Sequence, residues 1–257
     1  MSKISQGERR IAAGTAAVVP LGRTAMGVMA PSGGVCYNGP VMDIQKISPF
    51  AAALPALLSK ADINLLPLKR FCGPVKVIDR EDRLQAAMAE LHGERILGFD
   101  IEVRPTFKSG DSFPPALVQL AGREKVFLVQ LKKLKALRPL AALFADGGVA
   151  KAGVAVAGDL AKLHELMHFT PAGFVELGRM AAKAGIKASG VRTLAAQLLG
   201  FRVSKGAQCS NWERDELTPA QIIYAATDAW VCREIFLFLE KFKSVQNPRA
   251  ERAGEKR

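Results

Sequence analysis

Carboxylates and a phenol occupy two widely separated segments of the chain at spacings that suit a shared site. Asp100 and Glu102 follow the apolar run 96–99, and alternate residues of a strand face the same side of a sheet. Tyr224 and Asp228 are four residues apart in a strongly helical stretch, so they lie on one face of that helix. The pattern predicts a strand pair and a helix pair that converge on one cleft.

Carboxylates that converge in a cleft repel one another unless protons or cations lie between them. Ligand sets made only of oxygen suit hard cations such as Mg²⁺ or Mn²⁺ rather than Zn²⁺. Two such ions, about 4 Å apart, hold both the attacking and the leaving oxygen of an in-line displacement at phosphorus. A phenol beside them can orient the attacking water. The arrangement therefore predicts phosphodiester hydrolysis, although each carboxylate alone would be interpreted as an ordinary surface residue.

A further carboxylate lies between these two segments. Residues 151–156 predict a buried strand, and Gly158-Asp159 is expected to open a helix that runs to about Phe169. Asp159 would then lie in the first helical turn, where a carboxylate can cap the helix or reach a metal, directly or through water. The residues alone leave both interpretations open.

The three segments resemble the three exonuclease motifs of the DEDDy class of 3′–5′ exonucleases, which includes ribonuclease D and the Werner syndrome helicase exonuclease domain. Phe99-Asp100-Ile101-Glu102 is similar to the first motif and Tyr224-Ala225-Ala226-Thr227-Asp228-Ala229 to the third. The second is matched by Ala152-Gly153-Val154 together with Gly158-Asp159-Leu160. The resemblance extends over roughly residues 70 to 241. It implies a ribonuclease-H-like fold and metal-dependent removal of nucleoside 5′-monophosphates from the 3′ end of DNA or RNA.

The resemblance also implies a role for each matched residue. Asp100, Glu102 and Tyr224 would be catalytic, with Tyr224 orienting the attacking water. The implied ligands of two Mg²⁺ or Mn²⁺ ions are Asp100, Glu102, Asp159 and Asp228. One position departs from the Werner-type pattern, because Val103 stands where an aromatic residue usually follows the motif.

Three residues near the motifs are candidates for binding the substrate. Lys205 lies in the loop that precedes the last helix, where an ammonium group could contact the phosphate backbone. Trp212 either stacks on a base or packs into the core. Arg104 follows the first motif and either contacts the substrate or is solvated surface.

Two other functions remain open. His164-Glu165-Leu166-Met167-His168 matches the helical zinc signature of metallopeptidases, but a catalytic zinc needs a third protein ligand. The elongated version of that signature fails because Pro171 stands where its glycine belongs. A catalytically weak nucleic-acid-binding module on the same fold is the second alternative, and the presence of all four carboxylates and Tyr224 argues against it.

Composition limits the class of protein. The 257 residues, 49% of them hydrophobic, can bury a complete α/β core, and the net charge of +12 suits a polyanionic partner. Four scattered cysteines and the lack of a membrane-spanning apolar run favour a cytoplasmic protein with no membrane partner. Oligomeric state is left open. We expect a disordered or artefactual extension over 1–41, a lead-in segment over 42–69, the exonuclease domain over 70–241 and a basic disordered tail over 242–257.

Hydrophobic periodicity and breaker residues predict an α/β fold with a mixed five-stranded sheet flanked by helices. The expected strands cover residues 75–78, 96–103, 116–121, 125–131, 149–156 and 174–176, the first as a short separate strand. The expected helices after the lead-in cover residues 80–92, 134–144, 158–169, 177–184, 191–199 and 218–241.

Overall fold

Residues 35–37, 57–106 and 112–246 are described by the computed structural model, residues 35–37 and 246 through their backbone alone. The strands are β1 Val35–Tyr37, β2 Lys69–Phe71, β3 Val75–Ile78, β4 Ile96–Val103, β5 Pro115–Ala121, β6 Val126–Gln130, β7 Ala150–Gly153 and β8 Phe174–Glu176. The helices are α1 Lys60–Leu65, α2 Glu81–Leu91, α3 Arg138–Ala145, α4 Val156–His164, α5 Leu177–Lys183, α6 Val191–Leu194 and α7 Pro219–Gln246. A 3-10 turn covers Leu131–Lys133, and a π-helical turn, Ala195–Leu199, continues α6.

The main sheet is mixed and has the strand order β3-β6-β5-β4-β7-β8. β5 runs antiparallel to both β4 and β6, whereas the remaining neighbours are parallel. The prediction of an α/β fold with a mixed sheet is confirmed, but the count of five strands was one too low. The short strand 75–78 is a full member of the sheet because it pairs in parallel with β6 at the edge.

Helices cover both faces of the sheet, which explains its continuous apolar strands. Every residue of β5 and β6 is buried. One core lies between the sheet and the helices α5, α6 and α7, and the other lies between the sheet and α2, α3 and α4. Alternate residues of each strand enter opposite cores, as Leu117 and Val118 of β5 do.

A glycine lets α7 approach β4 closely. The face of α7 against the sheet carries the fully buried small residues Ala225, Ala226 and Ala229. A Cβ atom added to Gly98 of β4 would overlap the backbone carbonyl of Ala229. Only glycine therefore permits this helix–strand distance, and Asp100 and Asp228 stand one or two residues away from the contact.

The structure changes the predicted limits of α4. The helix begins at Val156, two residues earlier than expected, and ends at His164 rather than near Phe169. Ala155 adopts a left-handed conformation with φ 58°. This conformation ends the extended segment that follows β7 and directs the chain into α4. The carboxylate of Glu176 accepts from the backbone N–H of Val156 at 2.9 Å and of Gly178 at 3.1 Å, so it holds the starts of α4 and α5.

Parts of the terminal segments are ordered into elements. β1 lies inside the expected disordered extension and pairs in parallel with β2. α7 continues to Gln246, so residues 242–246 are helical and not part of a disordered tail. The remaining residues of both segments lie outside the described part of the chain. Within the described residues, no helix has the length and apolar character needed to cross a bilayer.

Candidate active site

Three carboxylates meet where α7 lies against β4. One carboxylate oxygen from each of Asp100, Glu102 and Asp228 lies within 4.8 Å of the other two. In the described ranges, no other group of three or more His, Cys, Asp or Glu side chains has this geometry. Glu102 and Asp228 are buried, and Asp100 is half-buried. The sequence prediction that the strand pair and the helix pair converge agrees with this geometry.

Strand geometry positions the first two carboxylates. Asp100 pairs with Gln119 across the β4–β5 ladder, and Glu102 pairs with Leu117 on the same face of the sheet. A β-bulge follows directly, between Glu102 and Val103. Bulges redirect side chains and end regular pairing at many strand termini. Here the bulge ends the regular ladder immediately beyond the second carboxylate.

Asp159 lies in the first turn of α4 and is not one of the three carboxylates within 4.8 Å of one another. Burial raises the pKa of its carboxyl group to about 8, and the charge of Asp100 is the next cause. The side-chain acceptor at the start of this helix is Glu176, so the capping role left open for Asp159 is not observed. Asp100 is the residue of the cluster whose charge acts on Asp159, and the charges of Lys162 and Glu176 act on it as well.

Burial and mutual repulsion make the fully charged cluster unfavourable. Burial, followed by the charges of Asp100 and Asp228, raises the pKa of Glu102 to about 9. For the pair Asp100 and Asp228, burial raises the pKa of both carboxyl groups. Divalent cations between the carboxylates would restore the charged forms. A buried, oxygen-only donor set at these distances fits a hard cation such as Mg²⁺ or Mn²⁺.

Tyr224 lies beside the carboxylates, one turn of α7 before Asp228. Burial raises the pKa of its hydroxyl group, and so do the charges of Asp228 and Glu102 and a hydrogen bond to Asp228. The phenol is therefore neutral at physiological pH and donates to the carboxylate. It suits the orientation of a water molecule and not the removal of a proton by a phenolate.

Trp212 does not have the substrate-binding role that the sequence allowed. The side chain is only 1% exposed and belongs to the core cluster on the α7 side of the sheet. Its ring packs against that of Tyr224, with the centroids 5.9 Å apart and the planes tilted by 40°. Stacking on a base is excluded in this conformation, because the indole face is already covered by protein. Trp212 instead supports the Tyr224 ring.

A cavity of about 640 Å³ opens onto the carboxylates and Tyr224. Lys205 lines it, as the substrate-binding prediction requires. Arg104 does not line it; its guanidinium group contacts Glu213 at 3.4 Å and lies over the ring of Phe113 at 4.7 Å. The structure therefore brings Lys205, and not Arg104, to the site.

Six further polar residues line the cavity and were not identified from the sequence: Lys60, Asn64, Arg192, Thr193, Ser204 and Gln208. The charge of Arg192 lowers the pKa of Asp228 against the larger effect of burial, and Arg192 lines the same cavity as that carboxylate. The capping pattern Ser59-Lys60-Ala61-Asp62 predicts a helix start. No local signal in the sequence shows that α1 or α6 lines the cavity at the carboxylates.

The zinc-peptidase interpretation is wrong. α4 ends at His164, so the two imidazoles do not share a helical face. The ring of His164 stacks on Phe169 with 4.5 Å between centroids. Among the described residues, His164, Glu165 and His168 do not form a group able to hold a metal.

The chain is similar in sequence to known exonucleases and ribonucleases. A family model described as 3′–5′ exonuclease matches residues 75–242. The human exonuclease 3′–5′ domain-containing protein 2 is 32% identical over 176 residues, which cover 64% of this chain and 28% of that protein. Ribonuclease D of Gluconacetobacter diazotrophicus is 32% identical over 178 residues, 67% of this chain and 44% of the relative. The chain thus spans less than half the length of either relative.

The solved structures agree with the fold. The crystal structure of Trypanosoma brucei RNase D in complex with RNA U12 has a TM-score of 0.59 and 21% sequence identity, and covers 65% of this chain and 62% of that chain. This similarity supports the ribonuclease-H-like fold. The family match includes the whole six-stranded sheet, the four carboxylates and Tyr224. The chain therefore belongs to the 3′–5′ exonuclease family.

Proposed function

We propose that this protein is a metal-dependent 3′–5′ exonuclease that hydrolyses the last phosphodiester bond of DNA or RNA and releases nucleoside 5′-monophosphates. The observation that carries the proposal is the approach of three carboxylate oxygens to within 4.8 Å of one another in a largely buried site. Such a group is electrostatically costly without cations. Its position beside Tyr224 and a cavity lined by basic residues suits hydrolysis of a phosphodiester.

Asp100, Glu102, Asp159 and Asp228 are the proposed ligands of two Mg²⁺ or Mn²⁺ ions. When bound, such ions supply charge stabilisation for the attacking and leaving oxygens of an in-line displacement at phosphorus. The protein's own contribution is to hold the carboxylates on rigid elements. Asp100 and Glu102 are fixed by the β4–β5 ladder, and Asp228 is fixed by the packing of α7 against β4.

Tyr224 is the proposed water-orienting residue. Its pKa is raised, so its hydroxyl group keeps its proton and can both donate to and accept from neighbouring oxygens. The ring is held by Trp212. The Tyr224 hydroxyl can therefore position the attacking water without acting as the base.

The remaining walls of the cavity suit a nucleic-acid strand. Lys205 and Arg192 bring positive charge to the cavity that contains the carboxylates. The net charge of +12 adds a general attraction for a polyanion. The trypanosomal RNase D, which has the same fold, is seen in complex with RNA. That complex supports a nucleic-acid substrate here, and the choice between DNA and RNA is left to experiment.

Degradation of 5′-labelled oligonucleotides tests the proposal. Single-stranded DNA, recessed duplex DNA and RNA would be incubated with Mg²⁺ or Mn²⁺, and the products would be separated by length. We expect a ladder shortened from the 3′ end with the wild type, and a loss of at least about 100-fold with Asp100→Asn. Asp215→Asn is the matched control, because Asp215 is 83% exposed and pairs with Lys133 away from the cavity.

Three results would reject the proposal. They are intact substrates under every metal condition, a ladder shortened from the 5′ end, and an Asp100→Asn protein as active as Asp215→Asn. Binding of oligonucleotides without shortening would identify a nucleic-acid-binding module instead.

A further inference from the structure

A helix outside the family match forms one wall of the active-site cavity. The match begins at residue 75, whereas α1 covers Lys60–Leu65. Lys60, Ile63 and Asn64 of this helix line the same cavity as Asp100, Glu102 and Asp228. The segment that was expected to be a mere lead-in therefore reaches the site.

The helix α1 is fixed to the domain at both ends. At its start, Ser59 and Asp62 form a reciprocal capping box, and the Leu58 N–H donates to Gln197 Oε1 at 3.3 Å. At its end, Arg202 Nε donates to the Leu66 carbonyl oxygen at 3.0 Å. Each of these contacts holds the helix to itself or to the exonuclease domain. The wall is therefore formed before any substrate binds.

The orientation of α1 places a polar pair at the cavity. Ile63 is only 7% exposed and anchors the helix to the domain. Lys60 and Asn64 are four residues apart, so they share a helix face, and both are exposed. No ion pair of Lys60 occurs in the described part of the chain. Its ammonium group is thus available to an anion in the cavity.

Lys60 suits an anion other than the scissile phosphate. In the proposed function, that phosphate lies at the carboxylates, where bound cations meet its charge. A cavity of about 640 Å³ has the size of a site for a sizeable ligand, and its other walls must accommodate the neighbouring nucleotide. A lysine on such a wall suits a second backbone phosphate.

We propose that α1 is a substrate-positioning wall on which Lys60 contacts a phosphate one nucleotide inward from the scissile phosphate, with Asn64 beside it. This inference rests on the proposed exonuclease function and adds a residue that gives longer substrates a lower KM. It makes a trinucleotide, which has a second internal phosphate, a better substrate than a dinucleotide, which has only the scissile one.

The test compares kcat and KM for a dinucleotide and a trinucleotide with the wild type, Lys60→Ala, Lys60→Arg and Lys183→Ala. Lys183 is an exposed lysine near the end of α5 that does not line the cavity, so it is the matched control. For Lys60→Ala we expect KM for the trinucleotide to rise about fivefold, as for loss of one exposed ion pair. We expect kcat for the trinucleotide and both constants for the dinucleotide to stay unchanged.

A salt titration gives a second reading that a purely structural role would not change. For a longer single strand, loss of one phosphate contact should reduce the slope of log(kcat/KM) against log[salt] by about 0.7. Lys60→Arg should restore the slope and the trinucleotide KM, because arginine keeps the charge. Lys183→Ala should behave as the wild type.

The outcomes separate this inference from the function on which it rests. A wild type that degrades no substrate overturns the exonuclease proposal, and this inference falls with it. An active wild type with no preference for the trinucleotide, or a Lys60→Ala protein that matches Lys183→Ala, overturns this inference alone. An equal rise in KM for the dinucleotide and the trinucleotide also overturns it, because Lys60 would then act at the scissile phosphate and not at a second one.

Discussion

At the scale of single residues, the site depends on neighbours that shift the chemistry of ordinary side chains. Asp100 and Asp228 lie close enough to Glu102 to raise the pKa of its carboxyl group, and Asp100 also raises the pKa of Asp228. Tyr224 becomes a firmly neutral phenol through burial beside Asp228. Cations would complete the charge balance that the protein alone leaves unfavourable.

Removing one hydroxyl group tests the role of Tyr224. Tyr224→Phe keeps the ring against Trp212 and should lower kcat by about 10²–10⁴-fold, the usual contribution of a group that positions or activates a nucleophile. Unfolding free energy should change by no more than about 1 kcal/mol, the net value of one hydrogen bond. Mn²⁺ affinity, measured by calorimetry, should be unchanged. A folded Tyr224→Phe protein with wild-type kcat would exclude the catalytic role.

At the scale of elements, the contact of α7 with β4 decides whether the carboxylates meet. The contact depends on Gly98, whose missing side chain leaves space for the Ala229 carbonyl group. Within the sheet, β4 is held by its hydrogen-bonded ladder with β5. A shift of α7 away from β4 would therefore separate Asp228 from Asp100 without changing either residue.

A single methyl group at position 98 should produce that shift. Gly98→Ala should lower the unfolding free energy by about 3 kcal/mol through overpacking. It should also weaken Mn²⁺ binding at least about tenfold, because the displaced Asp228 would no longer be aligned with the other ligands. A tenfold loss of affinity corresponds to about 1.4 kcal/mol of binding free energy. Chemical denaturation and calorimetry provide the two measurements.

Gly158→Ala is the control for this prediction. A Cβ atom on Gly158 meets nothing within 4 Å, and alanine in a helix is favoured over glycine by about 1 kcal/mol. We therefore expect equal or greater stability. If Gly98→Ala were as stable as Gly158→Ala, the close approach of α7 to β4 would not contribute to the stability of the fold.

The sequence predicted most of the elements, and the errors have physical causes. Alternation along β4 predicted that Asp100 and Glu102 share a face, and the four-residue spacing on α7 predicted the same for Tyr224 and Asp228, because both spacings are local. The start of α4 was misplaced because a left-handed Ala155 has no sequence signal comparable to glycine. The burial of Trp212 in the core and the positions of Lys60 and Arg192 at the cavity depend on long-range packing. No local sequence pattern encodes such packing.

At the scale of the whole molecule, the site makes stability depend on pH and metal. The pKa values of Glu102 and Asp159 are raised to about 9 and about 8 in the folded protein. Because the folded state holds these protons more tightly than the unfolded chain, their contribution is complete below the unfolded pKa of about 4. It is lost as the pH rises through the folded values.

The metal-free protein should therefore melt at a lower temperature at about pH 8.5 than at about pH 6. Thermal melts in EDTA provide the measurement. Glu102→Gln should show a smaller difference between the two pH values, because it removes the carboxyl group whose pKa is raised furthest. Excess Mn²⁺ should raise the melting temperature most at the higher pH, where the ligands are charged. A wild-type melting temperature in EDTA that is equal or higher at the higher pH would contradict the electrostatic account.

Anomalous diffraction from crystals grown with Mn²⁺ and a nucleoside 5′-monophosphate tests the central claim most directly. The account predicts two manganese peaks about 4 Å apart, bounded by Asp100, Glu102, Asp159 and Asp228, with the phosphate of the nucleotide between them and Tyr224. Crystals of Asp228→Asn grown in the same way should lose at least one peak. Manganese bound elsewhere, or no peak at this cluster in the wild type, would contradict the assignment of these carboxylates as the catalytic metal site.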